Sequence, residues 1–170
     1  MSTFLLTIIS RTPVWVWVLL AGLIVLGLAQ LREREVTRRR VIILPVVLGV
    51  LSLSGVAGAF GLHAAVEGPW LLGVLLGLAL TRVFPPAGRV QALPEGRLLL
   101  GGSALPLVTM MAVFFMRYAV NVSLAVVPAL AQQTLFGAGA ALLYGLPAGL
   151  MAGRALRILG SAAVARPALA

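Results

Sequence analysis

The 170-residue chain contains no cysteine, no aspartate and no lysine, and it has a single histidine. Without Cys there is no thiol redox chemistry, no disulfide and no Cys-based metal site. Without Lys there is no phosphate loop of the G-x-x-x-x-G-K-[ST] kind. One His cannot supply bis-His haem ligation, and with Asp and Cys both missing no zinc ligand set can be assembled. No cofactor or metal is therefore expected. Charge is scarce, at 10% of residues, against about 25% in ordinary soluble domains. In its place stand 61% hydrophobic residues and a mean hydropathy of +1.11. A fold of this size cannot hide so much apolar surface from water, so a water-soluble globular protein is excluded.

A transmembrane helix needs about 20 mostly apolar residues to cross a ~30 Å hydrocarbon core. Five segments qualify, at about 13–31, 41–62, 64–84, 103–126 and 134–156, and together they make one membrane domain over 1–170 with a short tail, 157–170. The first opens on Thr12 as N-cap and Pro13 at the first helical position, with Trp15 and Trp17 at the interface. Ahead of it, Phe4-Leu5-Leu6 and Ile8-Ile9 read as a short interfacial helix rather than a secretory signal. Pro45 falls in the first turns of the second segment, and Glu67-Gly68-Pro69-Trp70 marks the start of the third, which Pro85-Pro86 ends. Ser103 is the N-cap expected for the fourth. Pro147 sits inside the fifth, where its missing N–H predicts a helix break or kink.

Arginine sorts by loop. The stretch 32–40 holds five, the connection 82–102 three and the C-terminal region three, so eleven of the thirteen fall on one side of a five-span chain, with Arg11 and Arg117 the remainder. The positive-inside rule then sets the N-terminus outside and the C-terminus in the cytoplasm. The basic run is read as this topology signal, which also attracts anionic lipid headgroups, rather than as a nucleic-acid surface. Within the 85–102 connection, Pro94-Glu95-Gly96 separates two apolar-containing arms, which suits either a small cytoplasmic β-hairpin or a plain loop. Leu26-Gly27-Leu28-Ala29 with Arg32 is echoed by Leu76-Gly77-Leu78-Ala79 with Arg82. In so Leu-, Gly- and Ala-rich a chain this is read as coincidence.

Gly137, Ala141, Gly145, Gly149 and Gly153 place a small residue at every fourth position of the fifth segment, and Gly73, Gly77 and Thr81 do so more briefly in the third. Such ladders line one helix face and admit a second backbone, from within the bundle or from another copy of the chain.

Arg117 is the one charge expected inside the hydrocarbon, about 21 Å along a ~30 Å core when counted from Ser103. Such a residue is either a functional group or a snorkelling side chain. A polar cluster of Arg117 with Glu67, His63 and Asn121 is expected in the outer half of the bundle. Gly101-Gly102-Ser103-Ala104 resembles the serine motif of an intramembrane protease. However, Ser103 and His63 fall at opposite membrane faces, far beyond the ~3 Å reach of a dyad. No segment has an interior Asp or Glu, which argues against a carboxylate proton relay.

Taken as a set, Thr12-Pro13-x-Trp15, Leu44-Pro45, Gly102-Ser103-x-x-Pro106-Leu107, Phe115-x-Arg117-Tyr118 and the closing Gly149 to Gly153-Arg154 resemble a family of small, uncharacterised, mostly proteobacterial inner-membrane proteins, a domain of unknown function. That family has a basic residue at the Arg117 position. It usually has Trp after the Gly-Ser, where this chain has Ala104, which bears on the register of the fourth helix start. The resemblance brings no activity, substrate or cofactor. The expectation is an all-α, five-helix inner-membrane bundle without enzymatic activity. It would serve as an assembly, scaffold or partner-binding component, with a homodimer or another membrane protein as partner. The alternative is a small oligomeric transporter or channel subunit for a neutral or anionic solute.

Overall fold

The computed structural model describes residues 13–83, 90–93 and 97–164. Five α-helices and a small sheet follow in the order α1 (Val14–Ala29), β1 (Arg34–Thr37), α2 (Arg38–Phe60), α3 (Ala64–Val83), β2 (Val90–Ala92), β3 (Arg97–Leu100), α4 (Leu105–Val126) and α5 (Thr134–Val164). A 3₁₀ turn, Pro128–Gln132, joins α4 to α5. The helices α2 to α5 are each long and apolar enough to cross a membrane. At 16 residues, or about 24 Å, α1 is shorter than the 13–31 span read from the sequence. The chain leaves the helix at Gln30, whose N–H closes on the Gly27 carbonyl, and turns toward β1. Pro13 is the N-cap rather than the first helical residue, while Thr12 and the apolar residues before it lie outside the described residues.

Other boundaries moved for local reasons. α2 begins at Arg38, so three arginines expected in the loop form its first turn. It stops at Phe60 because Gly61 takes a φ of +80°, a left-handed conformation that suits glycine, and donates its N–H to Ala57. Ser103 is not the N-cap of α4: that position is Ala104, and the Ser103 hydroxyl accepts from Leu105 N at 3.3 Å, one residue too early in the chain. α5 runs unbroken through Pro147 and on to Val164, about 46 Å in 31 residues, so residues 157–164 are helix and not tail.

α5 is the central element. It packs along α3, against α2 and, more lightly, against α4, while α1 rests on α4. The α3–α5 seam is built from missing side chains. A Cβ on Gly73 or Gly77 would run into the Leu142 or Leu146 carbonyl of α5. In return, a Cβ on Gly145, Gly149 or Gly153 would strike the Trp70 carbonyl, the Val74 carbonyl or the Thr81 hydroxyl of α3. Lipid gives helices no hydrophobic reason to associate, so van der Waals contact at this close approach holds the pair. Gly137 instead faces Phe60 of α2 and Val66 of α3, and Ala141 is fully buried between them. The small-residue face of α5 is thus covered by the chain's own helices.

The sheet has the order β1-β3-β2, with both pairings antiparallel and Arg34 opposite Leu100. The sequence held β1 to be loop. Along β3, Leu98 and Leu100 are buried while Arg97 is exposed, the period of two of a one-sided sheet. That apolar face, with Val36, packs on Val41 of α2 and on Ala155 and Ile158 in the last turns of α5. The extra length of α5 is what reaches the sheet. The residues Pro94-Glu95-Gly96 between β2 and β3 lie outside the described residues, as do 84–89 and 165–170.

The seam yields a contrast of sign. Gly149→Ala is expected to lower stability by about 1–3 kcal/mol through collision with α3. Gly139→Ala, where a Cβ meets nothing within 4 Å, is expected to raise it by up to about 1 kcal/mol from helix propensity. Thermal unfolding of the detergent-purified variants measures both.

Candidate functional site

Arg117 lies on α4 between Met116 and Val120, both packed into the bundle core. It is 12 residues, about 18 Å, beyond the start of α4 and 9 residues, about 13 Å, before its end. The side chain is half-buried. Its guanidinium occupies the space that a side chain on Gly55 of α2 would need: a Cβ there would stand 3.1 Å from Arg117 Cζ. On the other side, Cζ is 5.9 Å from the centroid of the Tyr144 ring on α5, in cation–π range. Asn121, one turn further along α4, donates from Nδ2 to the Arg117 carbonyl at 2.7 Å. These residues line a pocket of about 450 Å³ with Ser54, Gly58, Ala59, Val120 and Leu124. Its walls are α2 and α4, which each pack on α5 and scarcely touch each other.

His63 and Glu67 do not join Arg117. Val66 is buried against α5, and a helix turns 100° per residue, so Glu67 is carried off the buried face into exposure. His63 precedes the helix and is exposed as well. Among the described residues no carboxylate lies within ion-pairing distance of Arg117, and no three His or Glu side chains group as a metal site. Placing an Arg in hydrocarbon costs about 2.5–3.5 kcal/mol on insertion scales. A cation–π contact returns about 0.5–2 kcal/mol, so Tyr144 offsets only part of that.

The position of Tyr144 depends on residues that sequence reasoning passed over. Ser52 of α2 donates from Oγ to the Tyr144 carbonyl at 2.6 Å, and Trp70 Nε1 of α3 donates to Ser52 Oγ at 3.0 Å. This relay ties three helices together three residues before Pro147, and it is one reason α5 continues through the proline instead of breaking. The seam with α3 on both sides of Pro147, at Gly145 and Gly149, is the other. Trp70, part of the start signal of the third segment, serves instead as a donor to a neighbouring helix. The one available signal was Ser52 beside Ser54 in an apolar stretch, and it gave no hint of its partners.

The opposite feature of the molecule is its basic end. Arg34 donates to Gln30 Oε1 at 2.8 Å, Arg97 pairs with Glu35 at 3.0 Å, and Arg157 donates to the Arg82 carbonyl at 3.2 Å. Burial, and next the charge of Arg40, hold the Arg34 guanidinium below its ordinary pKa. Both partners of the Arg97–Glu35 pair are about half exposed, so it contributes little. Its value is to bridge β1 and β3.

Fold and site together define a mostly helical protein with four helices long and apolar enough to cross a membrane, a half-buried arginine held among α2, α4 and α5, and one basic end. A family of unknown function, DUF6622, matches residues 1–169, and the chain belongs to it. Neither the curated proteins nor the solved structures gave a match.

Ser52→Ala is expected to cost about 1–3 kcal/mol, because it strips the Trp70 indole and the Tyr144 carbonyl of their partner. In the Ser52→Ala background, Trp70→Phe should then cost less than it does alone. A thermal-unfolding double-mutant cycle measures that coupling.

Proposed function

We propose that the chain is a multi-pass protein of a bacterial inner membrane, with five spans, the N-terminus outside and the C-terminus in the cytoplasm. It acts without catalysis, as an assembly or partner-binding component. The observation that supports this is the basic end. The loop before α2, the connection before α4 and the last turns of α5 meet there in one sheet-and-helix platform. By the positive-inside rule such an end faces the cytoplasm. Each arginine near an anionic leaflet adds about 1 kcal/mol of attraction, so lipid headgroups and not nucleic acid are its counter-ions. α1 delivers its C-terminus to the same end, where Ser103 N donates to the Gln30 carbonyl. A shortfall of about 6 Å against the hydrocarbon thickness is within what local thinning absorbs. A second copy or another membrane protein would dock on the outward faces, such as that of α1 with Val14, Trp15 and Val18 exposed.

A second reading, a small oligomeric transporter or channel subunit for a neutral or anionic solute, is favoured by one observation, the Arg117 pocket. Anion flux in proteoliposomes that Arg117→Gln abolishes would support it.

The absence of Cys makes single-cysteine labelling free of background. In intact cells an impermeant maleimide is expected to label Ser2→Cys and Ala129→Cys but not Arg32→Cys. The reverse pattern overturns the orientation, and protection of Ser2→Cys alone removes α1 from the spans. Mild-detergent extraction should bring down a stoichiometric partner or a second copy; a lone monomer throughout counts against assembly.

A further inference from the structure

We infer that the pocket between α2 and α4 binds the carboxyl group of a single-chain amphiphile that enters sideways from the bilayer, with Arg117 as its counter-ion. The inference rests on the membrane reading above and adds a ligand class to the site. Arg117 is permanently charged. The groups around it, Gly55, Ser54, Asn121 and Tyr144, are all neutral. An anion from outside the described residues would complete its charge balance. One cation calls for one negative charge, and a planar guanidinium fork matches a carboxylate. Depth narrows the class further. Arg117 is about 13 Å from the nearer end of α4, below the level of phospholipid headgroups. A phosphodiester cannot shed its charge to descend that far. A carboxyl group can: its ordinary pKa is about 4.3, burial raises it, and the neutral acid travels through hydrocarbon until the guanidinium favours ionisation.

The access route is also built. α2 presents Ser54, Gly55, Gly58 and Ala59 to the pocket, a wall of short side chains, and the backbones of α2 and α4 stay apart there. Gly58 lines the pocket, and a Cβ added there meets nothing within 4 Å, so a larger side chain at this position starts from open space and serves as a block. Gly139, equally unobstructed and on the outer face of α5, is its control.

The test uses the full chain in zwitterionic nanodiscs, photolabelled with a diazirine-bearing palmitic acid and mapped by peptide mass spectrometry. Label is expected on residues 54–59 and 117–124. It should fall at least tenfold in Arg117→Gln and in Gly58→Leu, persist in Arg117→Lys and in Gly139→Leu, and be competed by unlabelled palmitate but not by acetate. Equal labelling of wild type, Arg117→Gln and Gly58→Leu overturns the proposal, as does label confined to outward faces. Competition by acetate equal to that by palmitate overturns entry from the bilayer. Gel filtration and helical circular dichroism check each variant, and if Arg117→Gln does not fold, Gly58→Leu decides alone. Cysteine labelling reads the orientation separately, so an inverted topology would leave this site standing, and an unlabelled pocket would leave the topology standing.

Discussion

Everything in this fold depends on how closely α3 and α5 approach. Each helix has removed its side chains where the other's carbonyls pass, at Gly73 and Gly77 on one and at Gly145 and Gly149 on the other, and Gly153 makes room for the Thr81 side chain. In a bilayer, that contact substitutes for the hydrophobic force that assembles soluble cores. Once α3 and α5 are locked, α2 and α4 have defined surfaces to rest on, and the far end of α5 supplies the ridge on which the sheet sits. α1, which leans on α4 through Gly27 and Leu107, is the element most remote from this contact.

Consecutive residues of α5 serve different neighbours. Gly145 faces α3, and Tyr144, 100° away around the helix, presents its ring to Arg117 while its carbonyl takes the Ser52 proton. The charged pocket therefore inherits its rigidity from the glycine seam. Pro147, three residues on, withholds one N–H from the helix ladder where Gly145 and Gly149 pack on α3, and the helix continues to Val164.

Much of this was legible in one dimension. The apolar segments, the repeat of small residues every fourth position and the isolation of Arg117 are periodic or compositional signals, and they carry into the structure. The partners of Arg117 were not legible. Depth along a helix axis suggested Glu67 and His63, but azimuth decides contact, and burial of Val66 turns Glu67 away. Gly55 and Tyr144 gave no signal, because a glycine in an apolar stretch announces room without saying for what. β1 was hidden inside an arginine-rich run, where a single buried Val36 between Glu35 and Thr37 is too short an alternation to stand out from a topology signal. The arginines at 154 and 157 read as the end of a span, although α5 crosses that boundary and continues as helix beyond it.

The sheet also imposes an order on biogenesis. Among the described residues β1 pairs only with β3, and Arg34 meets Leu100 sixty-six residues further along the chain. At synthesis rates of about 5–20 residues per second, β1 waits roughly 3 to 13 s for its partner, while α2 and α3 are made in between. During that interval both edges of β1 are open, and its four residues carry Arg34 and Glu35 with Arg38 directly after. Charge at an unpaired edge discourages strand addition by other chains. The charges of β1 thus guard the nascent platform until its central strand arrives.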